Sequence, residues 1–207
     1  MNKPKARRNR PRVVLGLTGS IGMGKSATAA LFVKHDVPVH DADAAVHRLY
    51  NAGGAAAEAI GQAFPGSLRP DGSVDRDRLR QIVLDQPEKL QRLEALIHPL
   101  VAEESRTFLA RYAEVPLVVL DIPLLFETGA ERHCDAVFVV SAPPEVQRAR
   151  VLARPGMTEA AFDAILGKQM PDAEKRARAD FVIDTSLGFA RAEAEVVALI
   201  ARLTDSG

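Results

Sequence analysis

Five short runs of apolar residues punctuate the chain: Val13-Val-Leu-Gly-Leu-Thr18, Val37-Pro-Val-His40, Leu117-Val-Val-Leu120, Ala136-Val-Phe-Val-Val140 and Phe181-Val-Ile183. None alternates strictly between apolar and polar residues, as a strand with one wet face would. Apolar character on both faces marks strands of a parallel sheet covered by helices on both sides. Helical spacing fills the intervals. Ala27, Ala30, Leu31 and Phe32 suit a helix over 25–34, and Leu90, Leu93, Leu96, Ile97 and Leu100 give an apolar face to one over 87–112, with a bend expected at Pro99. Further helices are expected over 55–64 and 76–84, separated by the turn-rich Pro65-Gly-Ser-Leu-Arg-Pro-Asp-Gly72. The pattern predicts an α/β fold: a five-stranded parallel sheet flanked by helices.

The intervals are unequal, and that sets the domain organisation. The gap between the second and third runs far exceeds a simple crossover, so 44–112 is read as a helical insertion. After the fourth run, 144–179 is a second helical stretch, rich in arginine and broken by Pro155-Gly156. What remains, 13–43, 113–143 and 180–207, is the core of one domain spanning 13–207.

Composition narrows the class. At 207 residues, 47% apolar and 26% charged, the chain matches ordinary soluble globular proteins and has no apolar span of membrane length. A formal net charge of zero gives no basic excess to drive nucleic-acid binding. Residues 1–12 depart from that average, carrying Lys3, Lys5, Arg7, Arg8, Arg10 and Arg12 with no acid; they are expected to be a disordered basic tail. The single cysteine, Cys134, forms no intrachain disulfide and suits a reducing compartment, so a cytoplasmic location is expected. No three-part secretory signal is complete, because the apolar run Val13–Leu17 leads straight into glycines.

The most specific chemistry lies directly after the first run. Gly19-Ser-Ile-Gly-Met-Gly24-Lys25-Ser26 satisfies G-x-x-x-x-G-K-[ST] between a strand and a helix, the context its mechanism needs. The glycines let backbone N–H groups and the helix N-terminus face a phosphate. Lys25 reaches the β- and γ-phosphates, and Ser26 offers a hydroxyl to Mg²⁺. This fixes a nucleotide as ligand but not a reaction. An N-K-x-D string for guanine is missing from the sequence, while the large insertion and the arginine-rich stretch favour an ATP-dependent kinase with an acceptor domain and a closing lid.

Three further sets of residues bear on the reaction. His40-Asp41-Ala42-Asp43 places two carboxylates past the C-terminal end of the second strand, where ligands bind in open α/β sheets. One can orient an acceptor hydroxyl, and the other can hold water on Mg²⁺ or cap the following helix. Leu117-Val-Val-Leu-Asp121 has the form of a strand whose terminal carboxylate reaches Mg²⁺. Arg150 and Arg154, four apart, share a helical face and suit a clamp on transferring phosphates. His47, four residues after Asp43, makes a poor metal pair with it and is read as a solvated or hydrogen-bonded helix residue.

From Val13 to about Leu203 these motifs resemble the dephospho-CoA kinase family. GLTGSIGMGKS looks like its phosphate loop and VPVHDADAAVHRL like its strand-two carboxylates. DGSVDRDRLRQIV and LEALIHPLV are similar to its acceptor-domain signatures, VVLDIPLLFETG to its Asp-x-Pro-Leu-Leu segment, and VQRARVLARPGM, GKQM, EK and ADFVID to its lid and fifth strand. The resemblance implies phosphorylation of the ribose 3′-hydroxyl of dephospho-CoA by Mg-ATP, the last step of coenzyme A synthesis. It carries ATP binding onto Gly22, Met23, Gly24, Lys25, Ser26 and Ala27, the catalytic aspartate onto Asp43 and the lid arginines onto Arg150 and Arg154, which with Lys25 at the phosphates make up the expected catalytic set. Asp41, Arg76 and His98 fall on acceptor-side positions; the metal stays with Ser26 and Asp121, as read from the phosphate-loop and strand-end motifs above. Ser20, Met23 and Pro155 depart from the usual family residues, and Thr185 stands where the family often shows Asn. A monomer acting on a small molecule, with no nucleic-acid or membrane partner, is expected. The alternatives are a kinase for another nucleotide or nucleoside, and a non-catalytic ATP-binding switch.

Overall fold

The computed structural model describes residues 13–204; the basic segment 1–12 lies outside the described residues. Strands β1 (Val13–Thr18), β2 (Val39–Asp41), β3 (Leu117–Asp121), β4 (Ala136–Ser141) and β5 (Phe181–Asp184) form one sheet in the order β2-β3-β1-β4-β5. The pairs β1/β3, β1/β4 and β4/β5 are parallel, with Val13 opposite Leu117 and Leu17 opposite Asp121. β1 is therefore central, and all of β3 and nearly all of β1 and β4 are buried, which is why the runs show no alternation. β2 is shorter than its apolar run and shifted along it. Pro38 has no N–H to give a ladder, and only its carbonyl pairs, accepting from Val119 N–H at 2.9 Å.

The described residues divide into two compact units. The first holds the sheet and comprises 13–40 and 112–204; the second is Asp41–Arg111. In the first, α1 (Lys25–Lys34) and α9 (Phe189–Thr204) pack a core around Leu15, Leu17, Phe32, Val119, Val140, Ile183 and Val196. Phe32 meets Phe138 edge to face, ring centroids 5.9 Å apart. A smaller apolar cluster is built on Leu125, Phe126, Val137 and Val139. Cys134 sits beside it, half-buried. Burial, with Asp135 and Glu131 nearby, pushes its thiol pKa up to about 12, so it stays protonated.

The arginine-rich stretch forms three helices, α6 (Pro144–Leu152), α7 (Glu159–Leu166) and α8 (Asp172–Arg178). α6 ends at Leu152, so Arg150 lies on it and Arg154 does not. Arg154 precedes Pro155, whose ring disfavours helical geometry one residue back.

The second unit contains α2 (Ala42–Tyr50), α3 (Ala57–Ala63), α4 (Arg76–Val83) and α5 (Pro87–Arg111). They enclose their own apolar core of Leu49, Ile60, Phe64, Val74, Leu79 and Leu93. α5 continues through Pro99, which removes a single N–H from the ladder.

Candidate active site

The chain leaves β1 at Thr18 and enters α1 at Lys25, and the loop between is held from outside by side chains. The Gln147 amide donates to the Ile21 carbonyl at 2.7 Å, and Ile21 N–H donates to Gln169 Oε1 at 3.0 Å. Arg150 Nη1 reaches the Gly22 carbonyl at 3.4 Å, and the Thr185 hydroxyl donates to the Met23 carbonyl at 2.8 Å. Met23 is buried, and its sulfur accepts from Ala142 N–H at 3.1 Å. Three successive carbonyls are thus tied away to protein partners. The donors that remain characteristic of the turn are the first N–H groups of α1, which no intrahelical carbonyl can satisfy.

Gly22 and Gly24 have φ of 79° and 93°, the left-handed region open to glycine. Gly24 is the N-cap of α1 and has no side chain to occupy the helix end. The positive pole of α1 and its N–H groups therefore form an anion cradle, as the motif requires.

Lys25 Nζ lies 2.5 Å from Asp121 Oδ1, joining the start of α1 to the end of β3. Asp121 is buried, Lys25 half-buried and Ser26 exposed. A lysine ammonium, a serine hydroxyl and one carboxylate beside a phosphate cradle fit a Mg²⁺-nucleotide, since Mg²⁺ takes few protein ligands and completes its shell with phosphate oxygens and water. No group of three or more His, Cys, Asp or Glu side chains placed to hold a metal is gathered among the described residues.

A cavity of about 380 Å³ opens beside the cradle, lined by Gly22, Ala27, Leu31, Arg150, Arg154 and Phe189, among others. Both arginines reach it although only Arg150 is helical. Arg150 Nη1 and Nη2 donate to the hydroxyl and carbonyl of Thr185, each at 2.8 Å.

The acceptor-side residues belong to the second unit. Asp41 caps α2, its Oδ1 accepting from Ala44 N–H at 2.9 Å, so of the two carboxylates it is the one that caps the helix. Asp43 is exposed in the first turn of α2. Arg76 Nη1 lies 2.6 Å from His47 Nε2 and its guanidinium 5.8 Å from the Tyr50 ring centroid. Burial raises the Tyr50 pKa, opposed by the Arg76 charge. Arg76 and Tyr50 line a second cavity, of about 470 Å³. His98 is exposed on α5 and is not among its lining residues.

The sequence model of the dephospho-CoA kinase family matches residues 13–190. The chain belongs to the dephospho-CoA kinase family. The dephospho-CoA kinase of Mesorhizobium japonicum is 58% identical over 92% of this chain and 96% of its own, and that of Cereibacter sphaeroides 56% identical over 93% and 96%. Among solved structures, the Thermus thermophilus protein TT1252 superposes with a TM-score of 0.83 at 38% identity, covering 94% of this chain and all of its own. The dephospho-CoA kinase from Campylobacter jejuni, at 23% identity, covers 93% of this chain and 98% of its own with a TM-score of 0.64, a likeness of fold. The chain is thus an ATP-dependent kinase by family.

Sequence reasoning passed over several residues that build the site. Gln147 and Gln169 hold the phosphate loop, and Lys175, fully buried, pairs with Glu127 at 2.8 Å with angles outside those of a well-formed hydrogen bond. Glu127 Oε1 also accepts from Met170 N–H at 2.8 Å, fastening the segment before α8. Each lies within a segment already singled out as lid-like or strand-following, but a lone glutamine or lysine in a polar stretch carries no periodic signal.

Proposed function

We propose that the protein transfers the γ-phosphate of ATP to the 3′-hydroxyl of dephospho-CoA, giving coenzyme A and ADP. The observation that carries this reading is the cradle itself, an uncapped α1 behind Gly24 with Lys25 and Asp121 at its mouth, in a chain that belongs to this kinase family.

In this reading the first-turn N–H groups of α1 and the Lys25 ammonium hold the β- and γ-phosphates, and the adjoining cavity takes the nucleoside. Ser26 and Asp121 hold Mg²⁺ directly or through water. The metal, when bound, neutralises charge on the phosphate oxygens. Arg150 and Arg154 add positive charge where it builds up on the transferring group. The acceptor oxygen forms its bond to γ-phosphorus as the bond to the ADP oxygen breaks, and Asp43 accepts the hydroxyl proton. Asp41 supports Asp43 by starting α2. Arg76 and His98 serve the acceptor. A cytoplasmic monomer without nucleic-acid or membrane partners completes the reading; no helix among the described residues is long and apolar enough to cross a membrane.

The test is ADP production with Mg-ATP and a panel of dephospho-CoA, AMP, adenosine and pantetheine phosphates. Turnover with dephospho-CoA alone supports the reading. Robust transfer to AMP with none to dephospho-CoA would assign another nucleotide kinase, and nucleotide binding without transfer to any acceptor would assign a switch.

A further inference from the structure

We propose that Thr185 is a positioning residue for phosphoryl transfer, acting through Arg150, which it holds against the phosphate loop; this rests on the clamp role given to Arg150 above. Thr185 begins the short turn after β5, and its side chain is the meeting point of three segments. Its hydroxyl accepts from Arg150 Nη1 at 2.8 Å and donates to the Met23 carbonyl at 2.8 Å, with the Ser141 carbonyl of β4 a longer second acceptor at 3.3 Å. Its own carbonyl accepts from Arg150 Nη2 at 2.8 Å. One edge of the guanidinium is therefore fixed by two bonds to a single residue.

Three features make this a device for orientation. First, a hydroxyl has one proton and can accept as well, so only a Ser or Thr at this length can bridge a donor guanidinium and an acceptor carbonyl with one atom. A β-branched side chain is also stiff at χ1, so the direction of that atom is set by the backbone.

Second, the backbone carrying Thr185 is itself braced. Asp184 Oδ1 accepts from Ser186 N–H at 2.8 Å and from the Ser186 hydroxyl at 2.6 Å, closing the turn around Thr185. On the opposite side the side chain is wedged against the phosphate loop, since a Cβ built on Gly24 would lie 3.1 Å from Thr185 Oγ1.

Third, the hydrogen bonds of Arg150 go to neutral oxygens, those of Gly22 and Thr185, so they orient its charge without cancelling it. The guanidinium lines the cavity beside the cradle, and although the Asp184 carboxylate is near enough to feel its charge, the two form no direct ion pair. Thr185 thereby couples the position of the clamp to that of the loop that holds the phosphates.

The experiment is a double-mutant cycle between T185V and R150A, with T185S as the conservative variant. Val keeps the branched shape and the backbone carbonyl and puts a methyl group, which can neither donate nor accept, in place of the hydroxyl. T185V is expected to lower kcat about tenfold, the loss of one charge-assisted hydrogen bond, with the KM for ATP changed less than about threefold. T185S restores kcat to within about twofold of the parent, because its hydroxyl makes the same bridge. In the R150A background T185V costs less than about twofold more, since a residue acting through another has nothing left to position. Parental kcat in T185V, equal losses in T185S and T185V, or full multiplication of the T185V and R150A losses each overturns the proposal. Parental kcat in R150A would instead remove the clamp reading on which it rests. Should T185V not fold, as judged by thermal unfolding, the same cycle is run with T185A, which deletes the hydroxyl without adding bulk.

Discussion

The ammonium of Lys25 rests 2.5 Å from the carboxylate of Asp121, bringing the first residue of α1 to the last residue of β3. The register β1/β3 sets Leu17 opposite Asp121, so this carboxylate ends its strand level with the point where the chain leaves β1 for the phosphate loop. With a nucleotide bound, the same lysine has phosphate oxygens as partners, and Asp121 is released to hold Mg²⁺ in the reading proposed here. Lys25→Ala is expected to lower kcat by about 10²-fold or more, the scale of a lost electrostatic contact to the transferring group. Asp121→Asn is expected to raise the Mg²⁺ concentration needed for half-maximal rate. Steady-state rates over a Mg²⁺ titration check both; a parental Mg²⁺ profile in Asp121→Asn would remove that residue from the metal.

Asp41 and Asp43 are two residues apart and differ in what they touch. Asp41 accepts the Ala44 N–H as the cap of α2, whereas Asp43 is exposed in the first turn. Asp41→Ala is expected to cost about 1 kcal/mol of stability, the usual value of an N-cap. Asp43→Asn keeps shape and removes the proton acceptor, so it is expected to cut kcat by about 10²-fold with ATP affinity unchanged. Thermal unfolding separates the first effect and turnover with nucleotide binding the second. Near-parental turnover in Asp43→Asn would move the acceptor-side role to Asp41 or Asp121.

Much of the architecture was legible because two-sided burial leaves a mark: β1, β3, β4 and β5 coincide with apolar runs to within a residue at either end. The phosphate loop was legible because glycines at fixed spacing before a lysine have few other uses. β2 starts later than its apolar run because the run contains Pro38, and a prolyl nitrogen cannot join a ladder. The shared helical face of Arg150 and Arg154 failed for a similar reason, as Pro155 stops α6 before Arg154. What could not be read was the set of long-range polar contacts. Thr185 and Met23 are 162 residues apart in sequence, and nothing in either local pattern announces that they meet.

Glu127 gives the fold a defined sensitivity to acid. Burial acts to raise its pKa, but the Lys175 ammonium and the Met170 N–H outweigh it, so the carboxyl lies below its ordinary value. A folded-state pKa below the unfolded one stabilises the protein above the unfolded value, and that contribution is lost as pH falls through the folded value. Glu127→Gln also leaves the fully buried Lys175 without a counter-charge. It is expected to cost about 2 kcal/mol at pH 7, a buried-pair cost reduced because Glu127 is only partly shielded from solvent. The gap in unfolding temperature between the two proteins should narrow as pH falls below about 4, where the native carboxyl also loses its charge. A gap independent of pH would show that the pair contributes no linkage.

Gly22 and Gly24 both adopt positive φ, yet substitution at each meets different surroundings. A Cβ on Gly22 would lie 2.5 Å from Val151 Cγ2 and 2.9 Å from the Gln147 carbonyl, both on α6. A backbone carbonyl inside a helix cannot swing aside, so either the loop or α6 must move. The nearest atoms to a Cβ on Gly24 would be those of the Thr185 side chain, at 3.1 to 3.2 Å, which can yield by a few tenths of an ångström. Both alanine variants carry the left-handed backbone cost of about 1–2 kcal/mol, and Gly22→Ala adds the clash with α6. Gly22→Ala is therefore expected to lose more thermal stability than Gly24→Ala and to lose nucleotide binding with it, because the carbonyls of Ile21 and Gly22 are the ones Gln147 and Arg150 hold. Gly24→Ala is expected to fold and to weaken nucleotide binding at the cradle itself. Differential scanning fluorimetry with and without Mg-ATP reads both quantities at once. Equal unfolding temperatures for the two variants would mean that α6 yields freely at Gln147, and that the outside bracing of the loop is slack.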